Sequence, residues 1–246
     1  MEFGKRREKR VSEEIMRLDK DTDFIVAEAY KMLRTNLMFS LWKRGCKRII
    51  VTSSLPKEGK TTNCCNLGIT LAQTGSRVLI IDCDLRKSKL HMFFQQQGIP
   101  GLSEVLVGMK TPAEAIQKTA YPNLKILCGG TVPPNPMELI CSSAMSDLLD
   151  GLSKEFDYIL LDTAPVNLVA DALTLSPMTD GAILVVRQGE TPHANLQHAL
   201  SDLEFAHVKV LGIVLNAVKH GRHYGSSQYN FKRYYGDYDD HHSTRV

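Results

Sequence analysis

The chain has 246 residues, a hydrophobic fraction of 43%, a charged fraction of 23% and a net charge of +3. These values suit one α/β domain with short tails and exclude the strong basic excess of a dedicated nucleic-acid binder. Six cysteines without a C-x-x-C spacing argue against a zinc site or a disulfide framework, and a charged Met1–Lys20 stretch is no signal peptide. No apolar run approaches the ~20 residues of a membrane helix, so a cytoplasmic chain is expected, reaching a membrane only through a partner.

In chain order, residues 1–22 carry mixed charge and read as a flexible arm. Apolar residues then recur at helical spacing from Asp23 to Leu41. Lys47–Thr52 reads as a buried strand, Lys60–Gln73 as a helix ended by Gly75, and Arg77–Asp82 as a second strand. Leu102–Val107 and Ala113–Lys118 predict short helices, with a third strand at Lys125–Cys128. Pro136 opens a helix expected to run to Leu152. A strand at Asp157–Asp162, a short helix at Val169–Leu175 and a strand at Gly181–Val186 follow. A helix over Thr191–Phe205 and a sixth strand over Val210–Asn216 complete the alternation.

Strands apolar on both faces, separated by helices, predict a mostly parallel sheet covered on both sides, hence an α/β fold. The expected domain spans 23–219. From His220 to Val246 the sequence has almost no aliphatic residues and should form a mobile tail.

The first strand runs into Ser53-Ser54-Leu55-Pro56-Lys57-Glu58-Gly59-Lys60-Thr61-Thr62. A strand, a loop ending in Gly-Lys-Thr and a helix together form the context of a Walker A loop, so the expected α/β fold is that of a P-loop NTPase. Backbone N–H groups and the positive helix end would surround a β-phosphate, with Lys60 on the β- and γ-phosphates and Thr61 on Mg²⁺. Ser54, Pro56, Lys57, Glu58, Gly59, Lys60, Thr61 and Thr62 are the candidate nucleotide contacts, although Ser54 stands where the motif has its first glycine. The second strand ends in Asp82-Cys83-Asp84-Leu85-Arg86 and the fourth in Asp162-Thr163-Ala164-Pro165. In an open parallel sheet ligands bind at the carboxyl ends of strands, so all three segments should share one edge. Three carboxylates there imply a cation, since like charges repel.

The loop, the Asp-x-Asp-x-Arg segment and the Leu-Leu-Asp-x-x-Pro segment resemble the Walker A, A′ and B motifs of bacterial tyrosine kinases of capsular and exopolysaccharide assembly. The likeness continues through Gly101–Leu106 and Pro133–Leu139. It implies ATP and Mg²⁺ as cofactors and a catalytic set of Asp82, Lys60 and Arg86. Asp82 would accept the tyrosine proton, while Thr61, Asp84 and Asp162 would hold the metal. Five of eight tyrosines, Tyr224, Tyr229, Tyr234, Tyr235 and Tyr238, lie in the tail and become the implied phosphate acceptors, modified in trans.

Each phosphate adds about −1.5 to −2 charge, which should loosen an assembly of subunits. Glu28, Lys31 and Arg34 resemble the family's Glu-x-x-Arg-x-x-Arg segment, which implies a homo-oligomeric ring. By the same resemblance the partners are a membrane chain-length-determinant activator, which would bring the kinase to the inner face of the membrane, and a cognate tyrosine phosphatase, with no nucleic acid. The alternative is a partitioning or division-site ATPase of the same P-loop branch. That class typically has a lysine where this loop has Leu55, and lacks the tyrosine tail.

Overall fold

A computed structural model describes residues 17–19 and 22–218. Seven strands form one sheet in the order β3-β4-β2-β5-β1-β6-β7. They are β1 (Lys47–Ser53), β2 (Val78–Asp82), β3 (Gln117–Lys118), β4 (Leu124–Leu127), β5 (Tyr158–Asp162), β6 (Gly181–Arg187) and β7 (Val210–Asn216). All pairings are parallel except the short antiparallel ladder between β3 and β4.

Alternate residues of each central strand enter opposite cores. Ile50, Leu79, Leu161 and Leu184 face one side, and Ile49, Val51, Ile80, Leu160 and Ile183 the other. Both faces are therefore apolar, as a parallel sheet between helical layers requires. On the second face α1 (Phe24–Ser40) and α2 (Lys60–Ala72) pack together, with α3 (Leu90–Phe94) beside them. The opposite face is covered by α4 (Leu102–Leu106), α5 (Pro112–Ala115), α6 (Pro136–Ile140), α7 (Ser143–Leu152), α8 (Asp171–Thr174) and α9 (His193–Phe205). Among the described residues no helix is long and apolar enough to cross a membrane.

Several local expectations are corrected. The single helix expected over Pro136–Leu152 is two, because Ser142 adopts an extended conformation and caps α7 through the Met145 N–H. Gln117 and Lys118, expected in a helix, leave α5 and pair with β4. Helix α3 is an addition to the expected elements, its amino end held by the carboxylate that closes the preceding strand: Asp82 Oδ2 accepts the Lys89 and Leu90 N–H groups, each at 3.0 Å.

Within the segment read as a flexible arm, Arg17–Asp19 packs on the body. Leu18 is 5% exposed, its N–H donates to Asn66 Oδ1 at 3.0 Å and its carbonyl accepts from Tyr121. The Arg17 guanidinium lies over the Phe93 ring. The residues beyond 218, including the five tail tyrosines, lie outside the described residues.

Leu160, fully buried in the central strand β5, tests this two-sided core. Leu160→Ala should cost about 2–5 kcal/mol, read as a lower urea midpoint with an unchanged slope.

Candidate active site

The three motif segments lie on the neighbouring strands β2, β5 and β1. Asp82 and Asp162 are register partners, and Val51 of β1 pairs with Asp162. Chain reversal after β1 delivers residues 54–59 to the start of α2, whose unsatisfied N–H groups make this end positive. The Lys60 amine sits 3.1 Å from Asp84 Oδ2 and 3.4 Å from Asp162 Oδ1. The Thr61 hydroxyl donates to Asp162 Oδ2 at 2.6 Å.

Burial pushes the Lys60 amine toward neutrality, but Asp162, Asp84 and Asp82 outweigh it and hold its pKa well above the ordinary value. Burial raises the Asp162 carboxyl to about 6, against Lys60 and Thr61 and with help from Asp82 and Asp84. Asp82 is raised as well, by burial above all. One amine therefore balances a surplus of buried negative charge.

Asp82, the expected proton acceptor, is turned into its own loop. Its Oδ2 accepts from the Ser88 hydroxyl at 2.7 Å and from the Lys89 and Leu90 N–H groups. Its Oδ1 accepts from the Asp84 N–H at 3.2 Å. The carboxylate of this segment that meets Lys60 belongs to Asp84.

Arg86 donates to Asp171, a residue without solvent exposure that sequence reasoning missed. Burial raises the Asp171 carboxyl and Arg86 opposes it. Its Oδ1 has no partner among the described residues. No sequence signal marked it, because its partner lies 85 positions away.

The phosphate loop is braced from behind. Ser54, in the first-glycine position, is fully buried and donates to the Glu58 carboxylate at 2.9 Å. The Leu55 N–H and the Thr191 hydroxyl donate to the same carboxylate. Asn216 Nδ2, at the end of β7, donates to the Glu58 carbonyl at 2.8 Å. Gly59 has φ +92°, and a Cβ there would stand 2.1 Å from Asn216 Nδ2, so only glycine fits. Pro56 and Lys57 are exposed on the outer turn, and Thr62 is half-buried. Asn216 was legible by the rule that singled out Asp82 and Asp162: it is the polar residue closing an apolar strand.

Of the expected oligomer contacts, Glu28 and Lys31 form a surface pair at 2.6 Å. Arg34 instead points inward, donating to the Thr70 carbonyl at 3.0 Å. Among the described residues no three His, Cys, Asp or Glu side chains converge as a metal cage. Thr61, Asp162 and Asp84 do gather on one edge, which suits a Mg²⁺ completed by substrate oxygens and water rather than a resident ion.

The AAA domain model matches residues 47–191. The chain is 36% identical to tyrosine-protein kinase YwqD of Bacillus subtilis (strain 168), covering 87% of this chain and 88% of that protein. It is also 36% identical to tyrosine-protein kinase ptk of Acinetobacter johnsonii, covering 81% of this chain but 27% of that longer protein. Among solved structures, the chimerical protein CapA2B2 superposes with a TM-score of 0.76 at 34% identity, covering 78% of this chain and 85% of that one. The septum site-determining protein MinD of Pyrococcus horikoshii OT3, complexed with Mg-ADP, gives 0.60 at 25% identity over 72% of each chain.

The Asp162 carboxyl has a definite consequence. Its folded-state value, about 6, lies above the ordinary 3.8, so the folded chain holds this proton more tightly than the unfolded one. Its contribution to stability is full below the ordinary value and is lost as pH rises through about 6. Between those two pH values, the urea midpoint should fall more steeply for the parent protein than for Asp162→Asn. Parallel curves would refute the assignment.

Proposed function

The chain belongs to the bacterial tyrosine kinase family, and on that premise we propose that it transfers the γ-phosphate of ATP to tyrosines 224, 229, 234, 235 and 238 of a second copy of itself. That it is a protein-tyrosine kinase follows from the family. The observation that supports this reading of the site is the Lys60 amine set between Asp84 and Asp162 at the amino end of α2.

Phosphoryl transfer needs alignment and charge neutralisation more than covalent help. Lys60 binds the β- and γ-phosphates, and the loop N–H groups up to Thr62 orient them. Thr61, Asp84 and Asp162 would hold Mg²⁺, which would supply positive charge against the phosphates. Arg86, steadied by Asp171, adds positive charge at the rim. A tyrosine hydroxyl has a pKa of about 10 and needs a nearby carboxylate as it attacks.

Asp82 takes that proton in the reading carried by the resemblance, which requires Ser88 to release it. Its hydrogen bonds favour a second reading, in which Asp82 anchors the loop and Asp84 takes the proton. Those bonds are made before any tyrosine enters, so Asp82→Asn should lower stability by about 1–3 kcal/mol in both readings; the transfer rate per folded molecule separates the two, abolished in the first and largely kept in the second.

The wider setting is part of the proposal. A ring of subunits works in the cytoplasm and is recruited to the inner membrane face by a chain-length-determinant activator. It controls capsular or exopolysaccharide synthesis, and a phosphatase resets it. The partitioning-ATPase alternative lacks support from the curated relatives, which are named as tyrosine kinases.

The test mixes a Lys60→Met chain that retains its tail with an active chain lacking residues 220–246, then adds ATP and Mg²⁺. Mass spectrometry should find phosphotyrosine on the Lys60→Met tail. No label in the mixture or in the intact protein, even with the activator's cytoplasmic segment present, would refute the proposal.

A further inference from the structure

The hydrogen bonds behind the phosphate loop continue outward to α1. The Gly59 carbonyl, which shares its peptide plane with the Lys60 N–H, is held by two donors of Asn63: the backbone N–H at 2.9 Å and the side-chain Nδ2 at 2.9 Å. Asn63 lies in the first turn of α2 and is 5% exposed. Its other side-chain atom, Oδ1, accepts from the Tyr30 hydroxyl of α1 at 3.2 Å. Asn66, one turn further along α2, also faces that hydroxyl and accepts the Leu18 N–H.

A carboxamide has a donating and an accepting end, and its rotation exchanges them. The Tyr30 O–H can donate to Asn63 only when Oδ1 faces it, which leaves Nδ2 toward Gly59. The Gly59 carbonyl can only accept, so it sets Nδ2 toward itself, and the Tyr30 hydroxyl then holds the Asn63 side chain in that place through Oδ1. That support matters because a glycine at positive φ has no side chain to restrict its own rotation.

We propose that Tyr30 is a positioning residue for the nucleotide: acting through Asn63, it fixes the Gly59 peptide and joins α1 to the phosphate loop. The inference rests on the reading that ATP binds at Gly59–Thr61. It makes the helix that carries Glu28 and Lys31 on its surface a working part of the nucleotide site, so a contact on α1 is felt at the loop.

The test uses full-length protein with ATP, Mg²⁺ and a tyrosine peptide, together with titration by a fluorescent ATP analogue. Parent protein and Lys60→Met are run first; binding by the parent and its loss in Lys60→Met establish the premise, independently of Tyr30. Tyr30→Phe should then raise the KM for ATP and weaken analogue binding about two- to tenfold, the range of one net hydrogen bond, while kcat changes less. Asn63→Ala should do at least as much, and the double variant should match Asn63→Ala alone, since both changes break one chain of contacts.

A purely architectural role for Tyr30 would lower the folded fraction, and so kcat, without moving KM. That result, an unchanged KM in Tyr30→Phe or Asn63→Ala, or additive effects in the double variant, would overturn the proposal.

Discussion

Three buried aspartates and one lysine at the carboxyl edge of a parallel sheet are the constraint on which the rest depends. Asp82, Asp84 and Asp162 cannot all be ionised side by side in a dry site without positive charge among them. Lys60 supplies part of it, and the amino end of α2 supplies a fixed partial charge. Burial above all, with Asp82 and Asp84 adding to it, still raises the Asp162 carboxyl against Lys60 and Thr61.

The loop that faces this cluster is braced by hydrogen bonds on the side away from the cleft. Glu58 is 3% exposed and its carboxylate gathers Ser54, the Leu55 N–H and Thr191. The carbonyls of Glu58 and Gly59 are drawn backward by Asn216 and Asn63. Pulling the carbonyls away from the cleft leaves the opposite, N–H side of these peptides for an anion. Ser54 departs from the usual motif, and the departure is structurally useful, because its hydroxyl closes the loop on Glu58.

Elements distant in the chain hold this site. Thr191 precedes α9, Asn216 closes β7, and Tyr30 belongs to α1. Asp171 reaches Arg86 from the opposite helical layer. Because β7 runs parallel to β6 and its final residue touches the loop, the chain leaves the described fold at the same edge as the nucleotide site.

What was legible by itself in the sequence was whatever depends on neighbours in the chain. The alternation of apolar runs and helical periods announced a parallel sheet between helices. The Gly59-Lys60-Thr61 turn and the acidic strand ends named the site, because strand direction alone sends them to one edge. Tertiary structure decided the rest. It capped α3 with a carboxylate from β2, broke the helix at Ser142, drew Gln117 and Lys118 into a strand, and packed Leu18 where composition suggested a loose arm. It also turned Asp82 into its loop, left Asp84 to face Lys60, and paired Arg86 with Asp171. The contacts of Leu18 with Asn66, Lys60 with Asp84 and Arg86 with Asp171 join residues far apart in the chain, and their geometry depends on how the layers pack. The Ser142 cap, the Asp82 bonds and the pairing of Gln117 and Lys118 join near neighbours, where one local conformation displaced another that the residue types also allow.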